Sequence, residues 1–369
     1  MRVLHLSDPA VDTRYFATLI PALTQRGLEV HCGTVQTSSA PGWLENTRGA
    51  THFSLGVRPR RGRWFATAAA RLGAYVRRNR VDVVQTHLFN PGIVGVLGGR
   101  VVGRPVIVTR HHTDEMELVG TRMHVLGDRL TARGATRMLG FSEAVRDRLV
   151  EGEGVDPSKV EVIPQGFDFD SLVPIPDRVA ALRAELGLEG RFVIGDVARF
   201  FATKGQAVLL RAARLLSEEI PDLSVLLVGG GDLSGLRALA EAEGVADRTI
   251  VTGHRDDTVT CLGAMDIVVH PSFTEAFSQV LVEAMSAGRP VVATDVASAS
   301  EIIDHEVSGL LVEPHDPQAI VRAVKRLHCD SELRDRIAGA GQRSVRARFP
   351  VKRMVDAQVA MYEGLSAGG

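Results

Sequence analysis

Two carboxylates, Glu275 and Glu283, stand with seven residues between them in PSFTEAFSQVLVEAMSAGRPVVATD, a stretch apolar enough to be core. IVVHPS before them reads as a buried strand. SQVLVEAMSAG reads as a helix closed by Gly288, a usual C-terminal cap. Glu275 then sits in the strand-to-helix loop, and Glu283 about two turns into the helix. The amides of Phe277, Ser278, Gln279 and Val280 lie at the helix start. They are donors without helical partners, backed by a positive dipole, and so form an anion site. Carboxylates flanking such a site would repel a phosphate that came too close, so they suit hydroxyls on either side of it. A sugar nucleotide has hydroxyls at both ends and a diphosphate between. The plainer reading makes Glu275 a dipole partner and Glu283 a solvated helix residue. The apolar flank of Val280, Leu281, Val282, Ala284 and Met285 argues against it for Glu283.

A second anion element is GDVARFFATKGQAVLL, with Arg199 after a strand and Lys204 just before a helix. Two cations at such a junction suit a diphosphate and would stabilise charge on a leaving group. An ordinary solvated loop would carry the same pair. In LLVGGGD, Gly230 and Gly231 let backbone approach a ligand closely. These three loops all follow strands and are expected to converge on one crevice.

The elements that would hold these loops follow a regular order. A chain of 369 residues suggests two domains. Through the first half, strand-like RVLHLS, LEVHCGTV, VDVVQTH and PVIVTRH alternate with helix-like FATLIPALTQRG, WFATAAARLGAYVRRN and GIVGVLGGRVVG. VIPQGFDFDSLVPIPDRV, rich in Pro and Asp, reads as a linker. The alternation then restarts with FVIGDVARF. The expected class is α/β, two Rossmann-like doubly wound domains with parallel sheets facing a central cleft. The expected boundaries are 1–170, with a returning helix at about 350–369, and 171–349.

The net charge of -1 gives no argument for nucleic acid. Residues 1–175 nevertheless carry 22 Lys and Arg against 17 Asp and Glu, which hints at an anionic partner on that side. The three cysteines form no metal-like pattern, and a reducing cytoplasm fits them. No stretch reaches the roughly 20 apolar residues of a membrane span.

Together these motifs resemble the family-4 retaining glycosyltransferases of the GT-B fold. The glutamate pair is similar to the family's E-x7-E motif, ARFFATKG to its R…KG element, and VIPQGFD to its V-I-P-N-G-V-D. FSEAVRDRLV and PVIVTRHH also fall where the family has comparable segments. The resemblance covers nearly the whole chain. It implies that Glu283 binds the ribose hydroxyls of a UDP- or GDP-sugar and Glu275 the hydroxyls of its sugar. Arg199 and Lys204 would hold the diphosphate, and the amides from Phe277 to Val280 would cradle it. His111, with His112 as the neighbouring candidate, would lie near the donor sugar. The resemblance also implies retention at the anomeric carbon, no metal ion and no cofactor beyond the nucleotide-sugar co-substrate. The acceptor would be a glycan, a lipid-linked or a small-molecule hydroxyl. A cytoplasmic enzyme of cell-envelope polysaccharide synthesis would fit.

The first loop, SDPAVDTRYF, lacks the family's glycines, so Arg14 or the loop backbone substitutes, or the acceptor side differs. Ala276 and Ser278 stand where glycines are usual, and Gln165 where Asn is common. Residues 58–80 carry eight Arg and no acid, with Trp64 and Phe65 among them. They suit peripheral docking on an anionic membrane, a surface helix packed by its Ala and Leu face, or an anionic acceptor. A non-catalytic sugar-nucleotide binder and a sugar-nucleotide epimerase are the competing functions. A Rossmann dehydrogenase is disfavoured, because no GxGxxG follows the first strand.

Overall fold

The computed structural model describes residues 1–7, 13–58, 64–111, 122–296 and 298–367. The chain divides into two compact units, Met1–Phe167 with Phe349–Gly369, and Asp168–Arg348.

The first unit is built on the strands β1 (Arg2–Ser7), β2 (Glu29–Thr34), β3 (Ala50–Ser54), β4 (Val83–His87), β5 (Val106–Thr109), β6 (Arg137–Gly140) and β7 (Val160–Val162). All pair in parallel, in the order β3-β2-β1-β4-β5-β6-β7. The second unit contains β8 (Phe192–Val197), β9 (Leu223–Val228), β10 (Thr249–Gly253), β11 (Ile267–His270), β12 (Val291–Thr294) and β13 (Leu310–Val312). These are also parallel, in the order β10-β9-β8-β11-β12-β13. Each sheet is doubly wound, and strand order reverses between β1 and β4 and between β8 and β11. Ligands of open α/β sheets bind beyond the carboxyl ends of the strands at that reversal.

Strands covered by helices on both faces read as continuous apolar runs. Every residue of β4 and β9 is buried accordingly. Helix Arg14–Gln25 starts where the Thr13 hydroxyl accepts the Phe16 amide. Its Tyr15, Phe16, Leu19, Ile20 and Leu23 point inward, and Gly27, at φ +82°, ends it.

Helix Trp64–Arg78 buries Ala68, Ala69, Leu72, Gly73 and Val76. The part of the basic segment that the structure describes is therefore a helix packed by its small apolar face, with Trp64 and Phe65 stacked on each other at 3.8 Å. Residues 59–63 of that segment lie outside the described residues, as do His112 and residues 8–12 of the glycine-free first loop.

The segment read as a linker is largely ordered by packing. Phe167, Phe169 and Leu172 are buried, and helix Pro176–Glu185 begins inside it. Gln165 is buried, the Phe167 amide donates to the Phe349 carbonyl, and the Val351 amide returns to Phe167. The aromatic and aliphatic residues between its prolines are what exclude water there.

Candidate functional site

In the second unit three strand-end loops are locked together. The first follows β8. Its Gly205 adopts φ +70°, and a Cβ there would run into the Pro271 carbonyl of the loop after β11. The Phe273 amide donates to the Thr203 carbonyl at 2.8 Å. The third loop follows β9, and its Gly230 carbonyl accepts the Phe200 amide at 2.7 Å. Gly229 and Gly231 take φ +150° and +133° because Ala198 and Phe200 press on them. Neighbouring chain, rather than a ligand, demands those two glycines. Gly230 has the open space, the nearest atom to an added Cβ being 3.9 Å away.

Lys204 and Glu275 meet across the first two loops, Nζ to Oε1 at 2.6 Å. The same Oε1 receives Ser272 Oγ at 2.8 Å and lies 2.9 Å from His270 Nε2. Oε2 takes none of these three. On its other side His270 Nδ1 lies 3.1 Å from Asp196 Oδ1, and Gln206 Nε2 donates to Asp196 Oδ2 at 3.3 Å. Asp196 is fully buried and His270 is 2% exposed. Burial alone would lower the His270 pKa, but its hydrogen bonds to Asp196 and Glu275 outweigh that and raise it to about 9. Burial would likewise raise Glu275, yet the bonds and charges of His270 and Lys204 bring it down to about 2. The result is a neutral, alternating row: Asp196 minus, His270 plus, Glu275 minus, Lys204 plus.

The helix after β11 runs Gln279–Ser286 with Ser278 at its cap position. Two sequence readings are corrected here. Phe277 lies ahead of the cap, so the helical donors run from Ser278 to Leu281. Glu283 stands one turn into the helix, since the helix begins at Gln279. Glu283 is buried on this apolar helix rather than solvated. Ser278 has φ −82°, a value open to any residue, and its hydroxyl lies 3.0 Å from His270 Nε2. The loss of glycine at this position thus adds a hydrogen bond. Gln279 and Val280 are half-buried. Arg199 is exposed, its guanidinium 4.9 Å over the Phe201 ring. It does not join the Lys204–Glu275 row.

His111 belongs to the first unit, just beyond β5. Neighbouring Arg110 anchors it. The Arg110 amide donates to Leu139, and its buried guanidinium pairs with Asp128 at 2.7 Å and Glu153 at 3.0 Å. His111 Nε2 lies 3.0 Å from His87 Nδ1.

Sequence reasoning missed His270, Asp196, His5 and His87. The one available signal was a polar residue inside an apolar strand: IVVH, IGDV and VLHL each contain one, and VVQTH contains three. Among the described residues no group of three or more His, Cys, Asp or Glu is placed to hold a metal ion.

Comparison with known proteins bears on this arrangement. The Glycosyltransferase Family 4 model matches residues 13–171, and that of Glycosyl transferases group 1 matches residues 179–344. A D-inositol 3-phosphate glycosyltransferase of Actinosynnema mirum is 32% identical over 357 residues, covering 88% of this chain and 85% of the relative. The chain belongs to glycosyltransferase family 4. A second relative of the same description, from Salinispora tropica, is 31% identical over 307 residues, 76% of this family-4 chain and 64% of the relative. The crystal structure of Anabaena HepE in complex with UDP and glucose superposes with a TM-score of 0.85 at 22% identity, covering 99% of this chain and 100% of that one. The fold of this family-4 glycosyltransferase is GT-B, with two Rossmann-like parallel sheets.

Proposed function

We propose that the protein transfers a sugar, with retention and without a metal ion, from a nucleoside diphosphate sugar to a small-molecule hydroxyl acceptor. The observation that carries the donor half is the Lys204–Glu275–His270–Asp196 row beside the helix start at Ser278. An ammonium has three protons, so Lys204 can keep Glu275 and still donate to a phosphate oxygen. Arg199 and the amides of Ser278, Gln279, Val280 and Leu281 add positive potential for the leaving diphosphate. Glu275 Oε2 is left to accept from sugar hydroxyls, and buried Glu283 from the ribose. Gly230 and Gly231 border the same loops, and the family resemblance assigns His111 to the donor sugar. The relatives are described as acting on an inositol phosphate. That supports a phosphorylated polyol as acceptor and points away from envelope polysaccharide.

No helix among the described residues is long and apolar enough to cross a membrane. Peripheral contact with an anionic lipid surface belongs to the same proposal. It is assigned to exposed Leu97, Val101, Leu126 and Leu130, with exposed Arg100, Arg104, Arg129 and Arg133 beside them.

The deciding experiment is thermal shift with UDP, GDP, ADP and their sugar conjugates, without added metal. One nucleotide should raise Tm clearly, and Glu283→Ala should abolish that response. No shift with any nucleotide would overturn the donor assignment.

A further inference from the structure

Three histidines of the first unit form a file that donor binding does not require. His5 Nδ1 lies 3.0 Å from His87 Nε2, and His87 Nδ1 lies 3.0 Å from His111 Nε2. At the far end, Tyr362 of the C-terminal helix places its hydroxyl 3.5 Å from His5 Nε2. We propose that Tyr362, His5 and His87 act as positioning residues that set the tautomer of His111 through one hydrogen-bonded chain, so that His111 offers Nδ1 as an acceptor.

A neutral imidazole has one N–H and one lone pair. Where two ring nitrogens of neutral histidines face each other at 3.0 Å, one must donate and the other accept. The three rings therefore share a tautomer: all carry the proton on Nε2, or all carry it on Nδ1. Charged alternatives are disfavoured. His5 is fully enclosed, and burial brings its pKa down to about 3. His87 is lowered well below 6.5 by burial and by its two histidine neighbours. The rings of Tyr15, Phe16 and Phe141 pack around the file and keep water from it.

Tyr362 chooses between the two states. Its single proton goes to an amide oxygen, that of Gln85 or, at 2.8 Å, that of Gln358. Each amide turns its donor nitrogen the other way, Gln85 Nε2 to the Thr109 hydroxyl at 2.8 Å and Gln358 Nε2 to the Tyr15 hydroxyl at 3.2 Å. With its proton so committed, the phenol oxygen can only accept from His5, so His5 carries its proton on Nε2. His5 Nδ1 then accepts from His87 Nε2, and His87 Nδ1 accepts from His111 Nε2. With its proton on Nε2, a neutral His111 has its lone pair on Nδ1, and a group that meets that lone pair must donate to it. A sugar hydroxyl can do so. The file is not a proton exit, because it ends on a buried phenol whose pKa is raised well above 10.

The chain stands on its geometry and on the burial of His5 and His87; only the identity of the group that meets Nδ1 rests on the glycosyl-transfer reading. The test is a long-range proton–nitrogen spectrum of the full chain with ring-labelled histidine at pH 7, its peaks assigned by single substitutions. His5, His87 and His111 should all appear as neutral Nε2–H rings. An Nδ1–H or charged form of any of them would overturn the proposal. Tyr362→Phe keeps the ring and removes the oxygen, and should turn the three rings into a mixture of tautomers. An unchanged spectrum in that variant would overturn the role of Tyr362. With a donor found by thermal shift, Tyr362→Phe should lower kcat/KM about tenfold, the weight of one net hydrogen bond. The nucleotide-induced Tm rise should persist. Failure of the donor assignment would instead appear as no nucleotide response in the unaltered protein, with the spectrum unaffected.

Discussion

A histidine sealed between two carboxylates holds its proton well past neutrality, and His270 is placed that way between Asp196 and Glu275. Its folded pKa of about 9 exceeds its ordinary 6.5. Its contribution to stability is therefore complete below 6.5 and lost as pH rises through 9. Glu275 is the opposite case: lowered from 4.5 to about 2, its contribution is complete above 4.5 and lost as pH falls through 2. Both hold fully between pH 4.5 and 6.5. Tm measured against pH should plateau there and decline toward pH 9, by a free energy on the order of a few kcal/mol. His270→Gln should flatten the alkaline decline and lower the plateau, because Asp196 stays buried with its ionic partner gone. An alkaline slope that survives in His270→Gln would refute the assignment. The two glutamates were legible in the sequence from their spacing. His270 was not, because a lone histidine in an apolar strand looks the same whether it is partnered or not. Only the tertiary pairing of β8 with β11 brings Asp196 to it.

At the level of elements, both sheets place a buried polar pair across the strand reversal: His5 with His87 on β1 and β4, Asp196 with His270 on β8 and β11. The alternation of strands and helices was readable because parallel strands are continuous apolar runs. The short strands β3, β6 and β7 escaped it, since RMLG and VEV are too brief and too polar to signal pairing. Gly231, read with Gly230 in LLVGGGD as a ligand approach, serves approach by neighbouring chain, as Gly229 does, which composition cannot distinguish. Helix packing also offers a membrane contact a face apart from residues 58–80. Helices Phe89–Val101 and Arg122–Gly134 close on each other through Gly92, Gly127 and Gly134; a Cβ at Gly127 would lie 2.9 Å from the Phe89 ring. Leu97 and Val101 on one helix and Leu126 and Leu130 on the other flank that seam and remain exposed, each pair four residues apart. Burying them in an interface would contribute about 1.5–3 kcal/mol per side chain. The protein should sediment with anionic phospholipid vesicles, less at high salt, and not with neutral ones. The double change Leu97→Ser with Leu130→Ser should weaken this binding at least about tenfold without moving Tm. Equal binding by that variant would exclude this face.

On the scale of the whole molecule, the chain leaves the first unit after Phe167 and rejoins it at Phe349. The final helix, Val351–Ala367, belongs to the first unit by packing as well as by connectivity. Met354, Val355, Met361 and Tyr362 are buried, the Gly166 amide contacts Met354 Sδ, and Gln358 reaches Tyr15 across 343 positions of sequence. At about 1.5–3 kcal/mol for each large apolar side chain, the four together contribute roughly 6–12 kcal/mol. That is comparable with the whole stability of a domain, about 5–15 kcal/mol. Ending the chain at Arg348 would also leave His5 and Gln85 without the phenol they face. The shortened protein should therefore lose the calorimetric transition of the first unit while keeping that of Asp168–Arg348. Limited proteolysis should cut within residues 1–167 and spare the second unit. If the truncated chain melts with both transitions in place, the last helix contributes little to the first unit, and Tyr362 could not govern the histidine file from it.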